Sequence, residues 1–129
     1  MIDDKTLPTP RPEEVQVIQT YGDGRFRISN VVHDGAVLVT PKATLNWPIG
    51  AWSQLSFASL APLFAEGRRC EILLFGAGAR PWPLPTDLRH ELRNMGVIAD
   101  VMDTGAACRT YNVLLAENRL VSAALLPIA

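Results

Sequence analysis

The spacing of apolar residues changes character twice along the chain, and each change marks a new kind of element. From Val15 the pattern has period two. Val15, Val17 and Gln19 share one face, Gln16, Ile18 and Thr20 the other, and Tyr21-Gly22-Asp23-Gly24 supplies a hairpin turn. Gly24 to Ser29 then alternates Phe26 and Ile28 inward with Arg25 and Arg27 outward. His33-Asp34-Gly35 reads as a second turn and Ala36 to Thr40 as a short apolar strand. The first third is thus expected to be an antiparallel meander with one face wet.

Pro41 to Ser56 follows neither period, and with Trp47, Pro48, Gly50 and Trp52 it reads as a long ordered loop. A short helix comes next. Pro62 fits only a first turn, which makes Ser59 the expected cap, Gly67 the residue beyond the end, and Leu60, Leu63 and Phe64 the buried face.

After Cys70 strands and helices alternate. Cys70 to Phe75 is almost continuously apolar, as a strand covered on both faces should be. Thr86 is the expected cap of a helix running to about Met95, with Leu88, Leu92 and Met95 in one stripe and Gly96 at its exit. Val97 to Met102 reads as another buried strand. Asp103 or Thr104 caps a helix whose stripe is Ala107, Tyr111, Leu114 and Leu115, with Asn118 as a left-handed exit. Leu120 to Leu126 closes the chain as a strand whose direction stays open, since Tyr111 to Leu126 also reads as a hairpin turning at Asn118-Arg119. The predicted fold class is α/β: three layers around a mixed central sheet, an N-terminal antiparallel β-meander, and a C-terminal β-α-β-α-β half.

Composition narrows the function classes. A length of 129 residues fits one core, and 48% hydrophobic against 19% charged residues excludes a disordered chain. Residues 1–14, with Pro8, Pro10 and Pro12 among charges, read as a disordered tail, leaving 15–129 as one globular domain. The tail has no apolar core of a signal peptide and no mitochondrial presequence character, so the expected location is the cytoplasm of a bacterium. A net charge of −1 gives no field to recruit nucleic acid, and no apolar run is long enough for a transmembrane segment. Cys70 and Cys108, with His33 and His90, lack metal-ligand spacing, so no metal and no cofactor is expected. Cys108 at a helix start could be an activated thiol, but neither histidine is placed to serve it, and no catalytic residue is assigned.

Two groups of residues are candidate binding sites. Gly76-Ala77-Gly78-Ala79-Arg80-Pro81 follows the buried strand; its small residues could turn N–H groups toward an anion, with Arg80 adding charge. Pro81, Pro83 and Pro85 delay the next helix, so the dinucleotide fingerprint is not met, and a tight structural turn is the plainer reading. If the two strands are neighbours, Thr104, Arg109 and Asn112 would join Gly76, Gly78 and Arg80 on one rim, the site otherwise being helix capping and a solvated face. Trp47, Trp52 and Trp82 sit in Pro/Gly-bearing loops, as lids over the sheet or as anchors for a partner.

The runs Leu74-Phe75-Gly76-Ala77-Gly78, Met95-Gly96-Val97 and Met102-Asp103-Thr104, then Ala106-Ala107-Cys108-Arg109-Thr110-Tyr111-Asn112-Val113-Leu114 and Glu117, carry a resemblance. Over about Val15 to Leu126 the chain resembles the small uncharacterised Mth938-like domains, a family that includes the mitochondrial assembly factor for respiratory complex I. The resemblance implies a three-layer α/β domain and a non-enzymatic role exerted by binding protein partners, and it transfers no catalytic residues. Three functional readings follow: a protein-interaction module aiding assembly of a respiratory complex, an anionic-ligand domain using Gly76 to Arg80, and a homo-oligomeric unit.

Overall fold

The computed structural model describes residues 15–129; the tail expected over 1–14 lies outside the described residues. In chain order the elements are β1 (Ile18–Gly22), β2 (Arg25–Ile28), β3 (Val31–Asp34), β4 (Val37–Val39) and β5 (Thr44–Asn46). A 3-10 turn at Trp52–Gln54 precedes α1 (Phe57–Leu60), which tightens into a second 3-10 segment at Ala61–Phe64. Then come β6 (Ile72–Gly76), α2 (Thr86–Asn94), β7 (Ile98–Met102), α3 (Thr104–Ala116) and β8 (Val121–Leu125). The main sheet has the order β5-β4-β8-β6-β7, and β1-β2-β3 form a separate antiparallel sheet. The α/β class with a mixed central sheet and an N-terminal meander is as the sequence predicts.

The open direction of the last strand is resolved. β8 runs parallel to β6 and antiparallel to β4, so it occupies the centre of the sheet. Both its faces are covered, and all five residues Val121–Leu125 are buried. Alternate side chains feed two cores. Leu38, Leu73, Phe75 and Ala124 meet Leu60, Leu63, Leu88, Leu92 and Trp47 on one side. Val37, Val39, Leu74, Ala123 and Leu125 meet Ile18, Phe26 and Ile28 of the small sheet and Ala107, Cys108 and Tyr111 of α3 on the other. Double coverage is why these strands are apolar at nearly every position.

Several local expectations are corrected. The chain already turns at Ser29 and Asn30, with φ of 46° and 70°, so β3 contains His33, which the sequence had suggested for a turn. Side chains hold this left-handed pair in place of glycine. Ser29 Oγ accepts from Val17 N at 3.0 Å and donates to the Val15 carbonyl at 2.6 Å, while Gln19 bridges to Asn30. The loop at 41–56 contains β5, zipped to β4, and the 3-10 turn. The cap of α1 is Ser56 in a reciprocal capping box with Ser59, which is therefore inside the helix. The cap position of α2 is Pro85, not Thr86, and no side chain serves it. Asp103 caps α3, accepting from Ala106 N at 2.8 Å. Finally, β7 is not a buried strand but the edge of the sheet, with Ile98 and Asp100 exposed.

Candidate functional site

β6 and β7 lie side by side and parallel, with Gly76 opposite Met102, so their carboxyl ends form a common rim. The N-terminus of α3 and the loop after Gly76 meet there through Thr104. Its hydroxyl accepts from Gly78 N at 2.9 Å and donates to the Leu126 carbonyl at 2.7 Å, and Thr104 N donates to the Gly78 carbonyl at 2.8 Å. Ala77 N donates to the Met102 carbonyl at 3.0 Å. The loop amides that could cradle an anion at Ala77 and Gly78 are thus already occupied. Gly76 is dictated by this closeness: a Cβ there would stand 2.9 Å from both Thr104 Cα and a Leu125 methyl.

The remaining rim candidates point to different neighbours. Asn112 accepts from Ile18 N at 3.0 Å through Oδ1 and donates to the Ile18 carbonyl at 2.8 Å through Nδ2, binding β1 to α3. Arg109 donates to the Tyr21 hydroxyl at 3.1 Å. Arg80 stands over the ring of Trp82, 5.9 Å from its centroid, in the attractive range for a cation and an indole. Thr104 and Gly78 are brought together as the rim requires, whereas Arg80, Arg109 and Asn112 share no bond or partner with one another.

The three tryptophans separate as sharply. Trp47, a candidate partner anchor, is instead a core residue with 1% of its surface exposed. Trp52 packs edge-on against Phe75, its Nε1 donating to the Pro83 carbonyl at 3.1 Å, and so ties the proline-rich loop to the sheet. Trp82 alone is open, at 49% exposure.

The electrostatics hold both cysteines in the thiol form. Burial pushes the Cys108 thiol up to about 12, against a downward pull from Arg109, so at neutral pH it is protonated. Cys70 is also raised by burial and donates to the Ile72 carbonyl. Among the described residues, no group of His, Cys, Asp or Glu is arranged to hold a metal ion, and no helix is long and apolar enough to cross a membrane.

The opposite end of the parallel strands has hollows the sequence reading missed. One, of about 520 Å³, is lined by Thr40, Lys42, Glu66, Arg68, Arg69 and Leu120. Another, of about 390 Å³, shares Arg68 and Arg69 and adds Phe64, Met95 and Val97. Arg68 is engaged, donating to the Pro62 carbonyl and pairing with Glu66 at 3.0 Å. The signal for this cationic end was the pair Arg68-Arg69 just after Gly67, which by itself reads as an ordinary loop.

Residues 18–126 match the family described as proteins of unknown function DUF498/DUF598. An uncharacterized protein of Rhodobacter capsulatus is 43% identical over 111 residues, which is 86% of this chain and 84% of that protein. The NADH dehydrogenase [ubiquinone] 1 alpha subcomplex assembly factor 3 of Danio rerio is 37% identical over 111 residues. The match spans 86% of this chain but 64% of the zebrafish protein, just under two thirds of its length. Among solved structures, a Mth938-like domain from Bordetella pertussis superposes with a TM-score of 0.77 at 28% identity, covering 98% of this chain and 92% of that one. The chain therefore belongs to the DUF498/DUF598 family, has the Mth938-like fold, and is a relative of proteins named as NADH dehydrogenase [ubiquinone] 1 alpha subcomplex assembly factor 3.

Proposed function

We propose that this chain is a non-catalytic protein-interaction module, working from the cytoplasmic side in the assembly of a membrane-bound respiratory complex. The observation that carries the reading is the use of the rim: Thr104, Gly78 and Asn112 spend their polar groups on joining loop, helix and small sheet to one another. What is left exposed is surface: Trp82, the edge of β7, and the Arg69 side chain at the opposite end of the sheet. The relatives named as assembly factors for NADH dehydrogenase supply the process, and with it the expectation of protein partners. Removing the protein from its own cells tests this, with native gels reporting respiratory complexes. Partial complexes should accumulate, and an unchanged pattern of complexes would overturn the reading.

One observation favours an anionic ligand as the rival. The Arg80 guanidinium has no carboxylate partner among the described residues and lies beside an exposed indole. A phosphorylated metabolite or nucleotide at Kd-exceeding concentration would then raise thermal stability, by about 2.7 kcal/mol at 100 times Kd, in wild type and not in Arg80→Ala. Equal behaviour of the two proteins would remove this rival.

A further inference from the structure

We infer that the free edge of β7 receives an extended, acidic segment of a partner protein, which adds to the central sheet as a further strand. The inference rests on the interaction-module reading and supplies its surface and the chemistry of its partner.

The backbone is arranged for it. β7 is the last strand in the order β5-β4-β8-β6-β7, and no described strand pairs with its outer side. Ile98 N donates to the Glu71 carbonyl at 2.8 Å and Met102 O accepts from Ala77 N at 3.0 Å. Residues in a ladder alternate, so Ile98, Asp100 and Met102 direct their polar groups to β6 while Ala99 and Val101 direct theirs outward. The register from Ile72↔Ile98 to Gly76↔Met102 is unbroken, with no bulge to twist the edge away. The other borders are poorer templates. β5 has only three residues and β3 four, and β1 is already engaged at Ile18, whose N–H and carbonyl are both bonded to Asn112 of α3.

The side chains along this edge choose the occupant. A hollow of about 200 Å³ runs beside the strand on its α2 face, lined by Arg89, Arg93, Val97, Ile98 and Ala99. Arg89 and Arg93 are four residues apart and project from one ridge of α2. Neither has an ion-pair partner among the described residues. On the α3 face, Ile98 is 67% exposed, more than any other large apolar side chain described, and Asp100 stands beyond it. An added strand would place carboxylates toward Arg89 and Arg93 and an apolar side chain beside Ile98. A second copy fits badly. Two β7 strands paired about a two-fold axis would bring both Arg89-Arg93 ridges to one face, only about one strand spacing (~4.8 Å) further out, and a register centred on Asp100 would oppose two carboxylates.

The test is amide hydrogen exchange on the full chain with two synthetic peptides, one alternating Glu and Val and one alternating Lys and Val. The acidic peptide should slow exchange at Ala99 and Val101 by about tenfold or more, and the lysine peptide should not. The double variant Arg89→Glu/Arg93→Glu, changed only on an exposed helix face, should exchange the preference of the two peptides. Protection by neither peptide, equal protection by both, or protection confined to β3 or β5 would overturn the assignment. So would protection of Ala99 and Val101 that rises with protein concentration alone, which would mark a second copy as the occupant. Capture of the native partner separates the two levels of the account. A partner bound equally by wild type and the double variant refutes the β7 surface and leaves the module reading standing. No partner with either protein sinks both.

Discussion

Asn112 bonds to both backbone groups of Ile18, taking its N–H at 3.0 Å and donating to its carbonyl at 2.8 Å, and so acts as a strand neighbour supplied by a helix. Tyr111 works beside it, donating to the Gln16 carbonyl at 2.8 Å with the Thr40 carbonyl also in reach at 3.2 Å. Between them these two side chains fasten the small sheet to α3 across more than ninety residues of chain. Asn112→Ala strands both groups of Ile18 in a partly buried site, at a cost of about 1–3 kcal/mol. Urea unfolding would measure the loss, and hydrogen exchange should show β1 and β2 opening before the main sheet. A uniform change across both sheets would contradict the strap.

Thr104 gives a second test. Its hydroxyl is fully enclosed and joins the loop at Gly78 to the end of β8 at Leu126. Thr104→Val keeps the shape but leaves a partly buried N–H and a buried carbonyl without their partner, which should cost about 1–3 kcal/mol. Thr104→Ser, retaining the hydroxyl, should cost less. Equal unfolding midpoints for the two variants would show that the bonds contribute nothing.

Two glycines should respond in opposite degree to the same substitution. At Gly76 an added methyl meets the backbone of Thr104 and a buried leucine, neither of which can step aside, so Gly76→Ala should lose about 1–3 kcal/mol or more. At Gly105 it comes within 2.5 Å of the Tyr21 hydroxyl, the far end of a side chain on the surface. That ring can move, and alanine gains up to about 1 kcal/mol over glycine in a helix. Gly105→Ala should therefore fall well short of the loss at Gly76. The reverse order in thermal unfolding would contradict the packing described.

Alkaline pH should destabilise the fold from about pH 9 upward. The Cys108 thiol ionises near 9.0 when free and is raised to about 12 by burial in the fold. Between these values the unfolded chain has released a proton that the folded chain keeps, so stability is complete below pH 9 and falls as pH rises, by up to about 1.4 kcal/mol per unit. Burial also raises the Tyr111 hydroxyl above its ordinary 10.0, adding a loss that begins one unit higher. Burial raises the Cys70 thiol as well, so Cys108→Ala should make the decline between pH 9 and 10 shallower without abolishing it. An unchanged slope would show that this thiol does not contribute to it.

The parts of the fold legible in the sequence are those where one local rule acts alone. Phe26 and Ile28 alternate with Arg25 and Arg27 because β2 has one dry face, and Asp103 caps α3 as its side chain suggests. Reading failed where tertiary context decides. The turn at Ser29-Asn30 has no glycine, since the Ser29 hydroxyl, accepting from Val17 N, and the Gln19 side chain, accepting from Asn30 N, hold the left-handed backbone. β7 looked buried because Val97, Val101 and Met102 are apolar, yet its place in the sheet depends on β8 inserting between β4 and β6, a fact of topology. The sequence makes the meeting of Gly78 and Thr104 conditional on β6 and β7 being neighbours, and in the fold those strands pair. That Trp47 faces the core and Arg109 faces Tyr21 depends on which way loops and helices turn, for which spacing carries no signal.

The central claim is that this fold acts by holding other proteins, and crosslinking at native abundance followed by identification of the linked peptides tests it most directly. The account predicts links from β7 and its neighbour α2 to one recurrent partner found with respiratory-complex subunits or with incomplete assemblies of them. Links confined to copies of this chain, or none above background, would contradict it.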